Sequence, residues 1–129
     1  MQHQHVLKAL NALGVVGFQL SGTPTTEDEF LSMYSEYTGA DDNDVAVFTS
    51  NPDDYSVTWS QVSAKVTDIQ AAEPMRLLRQ ERDRRLAETD WWASSDLTMT
   101  TEQTTYRQAL RDITDSATSL DDVTWPEKP

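Results

Sequence analysis

No cysteine occurs among the 129 residues. Disulfide bonds and thiolate metal sites are therefore excluded, and the redox compartment is left undetermined. Histidine is nearly as scarce, with only His3 and His5. Without a third ligand they make a poor metal site, because closed sites usually take four ligands. Their place near the start of the chain also makes either one a poor rigid general base. Long apolar runs are missing. Mean hydropathy is -0.61, and no stretch approaches the roughly 18 residues of a membrane span. The opening MQHQHVLKAL lacks the basic, apolar and cleavage regions of a signal peptide, so none is expected. There is no glycine-rich phosphate loop, no HExxH and no nucleophile elbow. Carboxylates abound, but their spacing marks no pair for acid–base work. The expectation is a protein that is not an enzyme and needs no cofactor.

Positive charge is also in short supply. Ten Lys and Arg face 22 Asp and Glu, for a net charge of -12. Residues 1–73 hold 11 of the acids against Lys8 and Lys65 alone, while residues 74–129 hold the other 11 against seven Arg and Lys128. A nucleic-acid binder needs a positive footprint to displace counterions, so neither nucleic acid nor an anionic membrane is an expected partner. A protein partner is compatible with this balance.

What is present reads as an α+β protein. Val6, Leu10 and Leu13 fall on one face of a helix over residues 3–13, and Gly14 stops it. Val15 to Leu20 is a strand candidate ending at Ser21-Gly22-Thr23-Pro24. Thr26 and Glu29 form a capping box. It opens a helix whose Phe30, Met33, Tyr34 and Tyr37 face the core, with Gly39 closing it. Asp41-Asp42-Asn43-Asp44 resembles the start of a calcium loop, but Ala46 and Pro52 stand where such a loop requires Gly and Glu, so it reads as an acidic turn. Val45 to Ser50 is a second strand, Asn51 to Asp54 a turn, and Tyr55 to Val57 a short extended piece. A second capping box, Thr58 with Gln61, opens a helix with Trp59, Val62, Val66 and Ile69 on one face.

Pro74 interrupts that pattern. Either the helix kinks there or a new one starts with proline in its first turn. The boundary between a module at 1–73 and a second at 74–129 is placed at this junction. The second begins with PMRLLRQERDRRLAETDWW, which contains five of the seven arginines. Its apolar stripe is narrow: Met75, Leu77, Leu78 and Leu86. Glu81 is spaced to pair with Arg84 and Arg85, and Arg84 with Glu88. A solvated, salt-bridged face explains most of the arginines; a docking surface is the other reading, since Arg and Trp dominate interface hot spots. Thr100 with Gln103 is a third capping box. Tyr106, Ala109, Leu110 and Ile113 share one face of the helix it opens. The short loop from Ala93 to Met99 then makes an αα-hairpin, which Trp91 and Trp92 are expected to plug. Pro126 and Pro129 hold the tail extended, and Trp125 is expected to pack.

From residue 76 onward the motifs resemble a known family. The elements are Arg82, Arg85, Leu86, Ala87, Thr89, Asp90 and Trp91; then Asp96; then Tyr106, Arg107, Leu110, Arg111, Asp112 and Ile113; and finally Trp125, Pro126 and Pro129. This order resembles the C-terminal domain of the phage tail assembly chaperone family, met in tail fibre assembly proteins of tailed phages. The resemblance covers about two-fifths of the chain and leaves residues 1–73 as a module that selects the partner. It implies a protein that binds a tail or tail-fibre protein in the host cytoplasm and assists its folding or assembly. The alternative is a structural part that stays in the virion tail or fibre. Arg82, Arg85, Asp90, Trp91, Trp92, Tyr106, Arg107, Arg111, Trp125 and Pro126 are the candidate partner-binding or signature residues.

Overall fold

The computed structural model describes residues 3–129. They fall into two compact units that divide between Ala71 and Ala72. The fold is α+β, with a small antiparallel sheet in the first unit and helices alone in the second.

The first helix, α1 (His3–Ala12), buries Val6, Ala9 and Leu10. Gly14, at φ +85°, ends it. The Gly14 N–H donates to the Asn11 carbonyl and the Val15 N–H to the Leu10 carbonyl, each at 3.1 Å. These are the two bonds of a Schellman stop, and the left-handed residue between them favours glycine.

The strand expected over Val15–Leu20 is shorter, β1 (Phe18–Leu20). Val15 turns into the core instead, and Val16 is fully exposed. The helix expected from Thr26 to Gly39 needs a larger correction. It stops after seven residues, as α2 (Glu27–Met33), and Tyr34–Ala40 is a strand, β2. Thr26 caps α2 by accepting from the Glu29 N–H at 3.2 Å, but the Glu29 carboxylate takes the Thr25 and Thr26 hydroxyls rather than closing the box. The reason for the early stop is tertiary. Leu20 and Phe18 of β1 pair with Tyr34 and Glu36, and Thr49 pairs with Glu36 from the other side. Aromatic and β-branched residues in 34–40 suit a pleated surface as well as a helix face, and two neighbouring strands decide the matter.

The third strand, β3 (Ala46–Thr49), completes a sheet of order β1-β2-β3. Between β2 and β3 the acidic turn is held by Asp41, whose carboxylate accepts from the N–H groups of Asn43 and Val45, while Asp44 takes φ 62°. A 3₁₀ turn at Pro52–Asp54 leads to the long helix α3 (Trp59–Glu88). The Thr58–Gln61 box is complete in both directions, at 3.0 and 3.2 Å. Val62 and Val66 are buried with Phe30, Tyr34 and the α1 residues, and Trp59 and Ile69 pack against them. Phe30 and Tyr34 stack at 4.6 Å, and Tyr55 meets Tyr34 edge-on at 4.8 Å.

Pro74 lies inside α3, which continues through it to Glu88. No new helix begins there. Proline withholds one N–H from the carbonyl four residues earlier, that of Gln70. Gln70 is exposed, so water can satisfy the freed oxygen. The division between the units falls within α3, with residues 59–71 in the first and 72–88 in the second. In the second unit, a 3₁₀ turn at Asp90–Ala93 is followed by α4 (Thr101–Arg111), capped by the full Thr100–Gln103 box, and by a 3₁₀ turn at Ile113–Asp115.

Candidate partner-binding surface

The second unit is built around the end of α3. The last carbonyls of a helix have no partner within it. Here the Leu86 carbonyl collects three donors: the Thr89 N–H at 3.1 Å, the Thr89 hydroxyl at 3.2 Å and Arg107 Nη1 at 3.0 Å. Arg107 comes from α4, and its Nη1 also reaches Thr89 Oγ1 at 2.7 Å while Nη2 reaches the Asp90 carboxylate at 2.9 Å. A guanidinium also suits the negative end of a helix dipole. Arg107 is only 8% exposed, and Thr89 is fully buried. Buried charge is costly unless paired, and Asp90 supplies the counter-charge. The Arg107 Nε is buried with no hydrogen-bond partner among the described residues, which reduces the net gain.

Around this clamp lies an apolar cluster. Trp92, Tyr106 and Leu110 are buried together, with Leu86, Met99 and Trp125 packed against them. Trp92 and Tyr106 rings are 6.0 Å apart. Arg107 meets residues 86–90, whereas Leu120 shares a groove with Leu77, Gln80, Glu81 and Arg84. The tail beyond α4 therefore folds back onto residues 77–84 of α3. Trp125 anchors it: the Arg85 guanidinium sits 4.2 Å from the Trp125 ring centre, a cation–π contact. Lys128 extends the same tail, 3.8 Å from the Glu88 carboxylate and 6.0 Å from the Trp92 ring.

All three ion pairs read from the spacing form: Glu81 with Arg84 and with Arg85, and Arg84 with Glu88. The hydrogen bonds from Arg84, then burial acting against them, then the charges and Arg85, hold the Glu81 carboxyl down to about 2. Solvent screens these exposed groups, so the pairs add little to stability. Arg76 pairs with Glu73 and Arg82 with Asp83.

The ten singled-out residues therefore separate. Trp92, Tyr106 and Arg107 are interior, and Arg85, Trp125 and Pro126 are partly buried around them. Asp90 spends one oxygen on Arg107 and keeps 66% of its side chain exposed. Arg82 is half-covered beside Asp83. Arg111 is exposed, with Gln108 Oε1 at 3.4 Å. Trp91 differs from expectation. It is 61% exposed, against 5% for Trp92, so it does not plug the hairpin. The 3₁₀ turn sends consecutive side chains in different directions, and only one can enter. The two rings touch edge to face at 6.2 Å, and Trp91 faces solvent beside the buried Trp92.

Two features had no signal in the sequence. Leu77 and Leu120 face each other across an exposed groove between α3 and the tail, with Gln80, Glu81 and Arg84 beside them; nothing in the tail's spacing foretells that pairing. In the first unit Glu36 is buried, and its carboxylate accepts from the Tyr34 hydroxyl at 2.7 Å, the Ser56 N–H at 2.9 Å and the Ser56 hydroxyl at 2.8 Å. Burial pushes its pKa up, but these three bonds together outweigh it and leave it below the usual value. Among the described residues no group of three or more His, Cys, Asp or Glu is placed to hold a metal ion, and no helix is long and apolar enough to cross a membrane.

Residues 75–129 match the family model described as phage tail assembly chaperone protein. The matched span takes in the clamp, the tryptophan pair and the Trp125 tail, the segments whose order resembles that family. No curated protein and no solved structure gives a significant match to the chain.

Proposed function

We propose that this protein is a non-enzymatic assembly factor that binds a tail or tail-fibre protein of a phage in the host cytoplasm and assists its folding or assembly. The observation that carries the reading is the coincidence of the family match with an exposed tryptophan beside a buried one. The matched residues build the clamp at the end of α3, and Trp91 is the large aromatic left outside it. Exposed tryptophan beside arginine and carboxylate groups is typical of interface anchors. Trp91, Asp90 and Arg111 then contact the partner, while Arg107, Trp92, Tyr106 and Trp125 hold the surface in shape. Residues 1–73 act as a separate module that selects the partner.

Co-expression with candidate tail-fibre proteins tests the proposal. Fibre solubility and trimer yield are expected to rise with this protein and to fall back with Trp91→Ala. Unchanged yields across all candidates overturn it. Stoichiometric recovery of the protein from purified particles, by mass spectrometry, makes it a structural part of the virion instead.

A further inference from the structure

The hairpin of β2 and β3 has an uncovered edge. Every residue from Ala40 to Val47 is exposed. β3 has β2 on one side and no strand on the other, so alternate main-chain groups along it point to an unpaired edge. The Val45 carbonyl faces β2, where it accepts from the Asp41 N–H at 2.9 Å. Alternation then turns the backbone of Ala46 toward the free edge. Val45 and Val47, two positions apart on one face, are 58% and 42% exposed.

Carboxylates crowd the turns at both ends of β3. Before the strand, Asp41 accepts from the Val45 N–H at 3.0 Å inside the β2–β3 turn. At the finish, Asp54 accepts from the Thr49 hydroxyl at 3.1 Å. Four residue steps separate Val45 from Thr49, about 13 Å of strand. Asp42, Asp44 and Asp53 add charge nearby. The hairpin and its flanking turns contain no Lys or Arg. Charged ends on a short strand are a common defence against pairing with another copy. That defence fails against a partner of opposite charge.

We propose that the free edge of β3 is a docking site for an extended protein segment carrying two apolar residues at alternate positions and flanked by Lys or Arg. Such a segment adds as a fourth strand: the main chain supplies the hydrogen bonds, the two apolar side chains cover Val45 and Val47, and the basic flanks meet the acidic turns at residues 41–44 and 53–54. The site lies outside residues 75–129, and the inference does not rest on the assembly role.

The test is an amide NMR titration of the full chain with the peptide TKVTVKT and its acidic counterpart TEVTVET. Shift changes are expected at residues 45–50 with the basic peptide, weakening severalfold between about 50 and 300 mM salt as screening sets in. The acidic peptide is expected to bind at least tenfold more weakly. Ala46→Pro removes an outward N–H without touching the β2 ladder and should weaken binding at least tenfold. Should that variant unfold, the doubly reversed Asp42→Lys/Asp53→Lys chain carries the test, because it should prefer the acidic peptide. Equal binding of both peptides, shifts elsewhere in the chain, no shifts at millimolar peptide, or edge-to-edge dimerisation of the protein each overturns the proposal.

Discussion

Arg107 and Thr89, 18 residues apart in the chain, are joined by a 2.7 Å hydrogen bond that closes the end of α3. Through the same guanidinium, Asp90 and the Leu86 carbonyl are held to α4. Replacing Arg107 with Ala takes one of three donors from the Leu86 carbonyl and removes the donor to the buried Thr89 hydroxyl oxygen, and is expected to cost about 1–3 kcal/mol. Arg107→Lys should recover only a minor part, since one ammonium cannot span three acceptors in a fixed fork. Urea unfolding of the variants checks both.

The adjacent tryptophans should behave oppositely. Trp92→Ala empties a buried site and is expected to destabilise by roughly 3–5 kcal/mol. Trp91→Ala should stay within about 0.5 kcal/mol of the parent, as exposed substitutions do. Fluorescence of single-tryptophan variants, with emission red-shifted for Trp91 alone, would confirm the assignment. Equal blue shifts would refute it.

Glu36 should make stability depend on acid pH. Its folded pKa lies below its unfolded value, so its contribution is complete above about pH 4.5 and is lost as pH falls through the folded value. Glu36→Gln removes that slope, at a cost of about 1–3 kcal/mol at neutral pH from the mismatched donor. The difference between the two unfolding-versus-pH curves isolates Glu36 from the other carboxylates.

Pro74 offers the reverse case. Proline inside a helix is less favourable than alanine by up to about 3 kcal/mol, partly offset by its stiffening of the unfolded chain. Pro74→Ala restores the bond to the Gln70 carbonyl and should stabilise by about 1–2 kcal/mol. An unchanged denaturation midpoint would mean the helix has already relaxed around the ring.

These residues also mark how far the sequence could be read. Local signals worked where local chemistry decides: the Thr58 and Thr100 boxes, the Gly14 stop, and the Glu81, Arg84 and Glu88 pairs, each settled within four residues. Tyr34 shows where this ends. Its spacing from Phe30 fits a helix, yet Leu20, 14 residues earlier, pairs with it, and Thr49 pairs with Glu36 two residues on. Trp91 and Trp92 share a composition and a neighbourhood, and only the turn between α3 and α4 distinguishes them. Arg107 could be named from the resemblance, but its task lies in distances between residues 17 to 21 positions apart, which no local pattern encodes.

The carbonyl of Leu86 sets an order on biosynthesis. A nascent chain that has emerged only as far as Glu88 has Leu86 still to cover and one helix end without its donors. Arg107 must arrive before that end is fixed, and Trp125 before Arg85 finds its ring. During translation the second unit therefore waits for residues it has not yet made, and a ribosome stalled before Trp125 would display an unfinished surface to cellular proteases and chaperones.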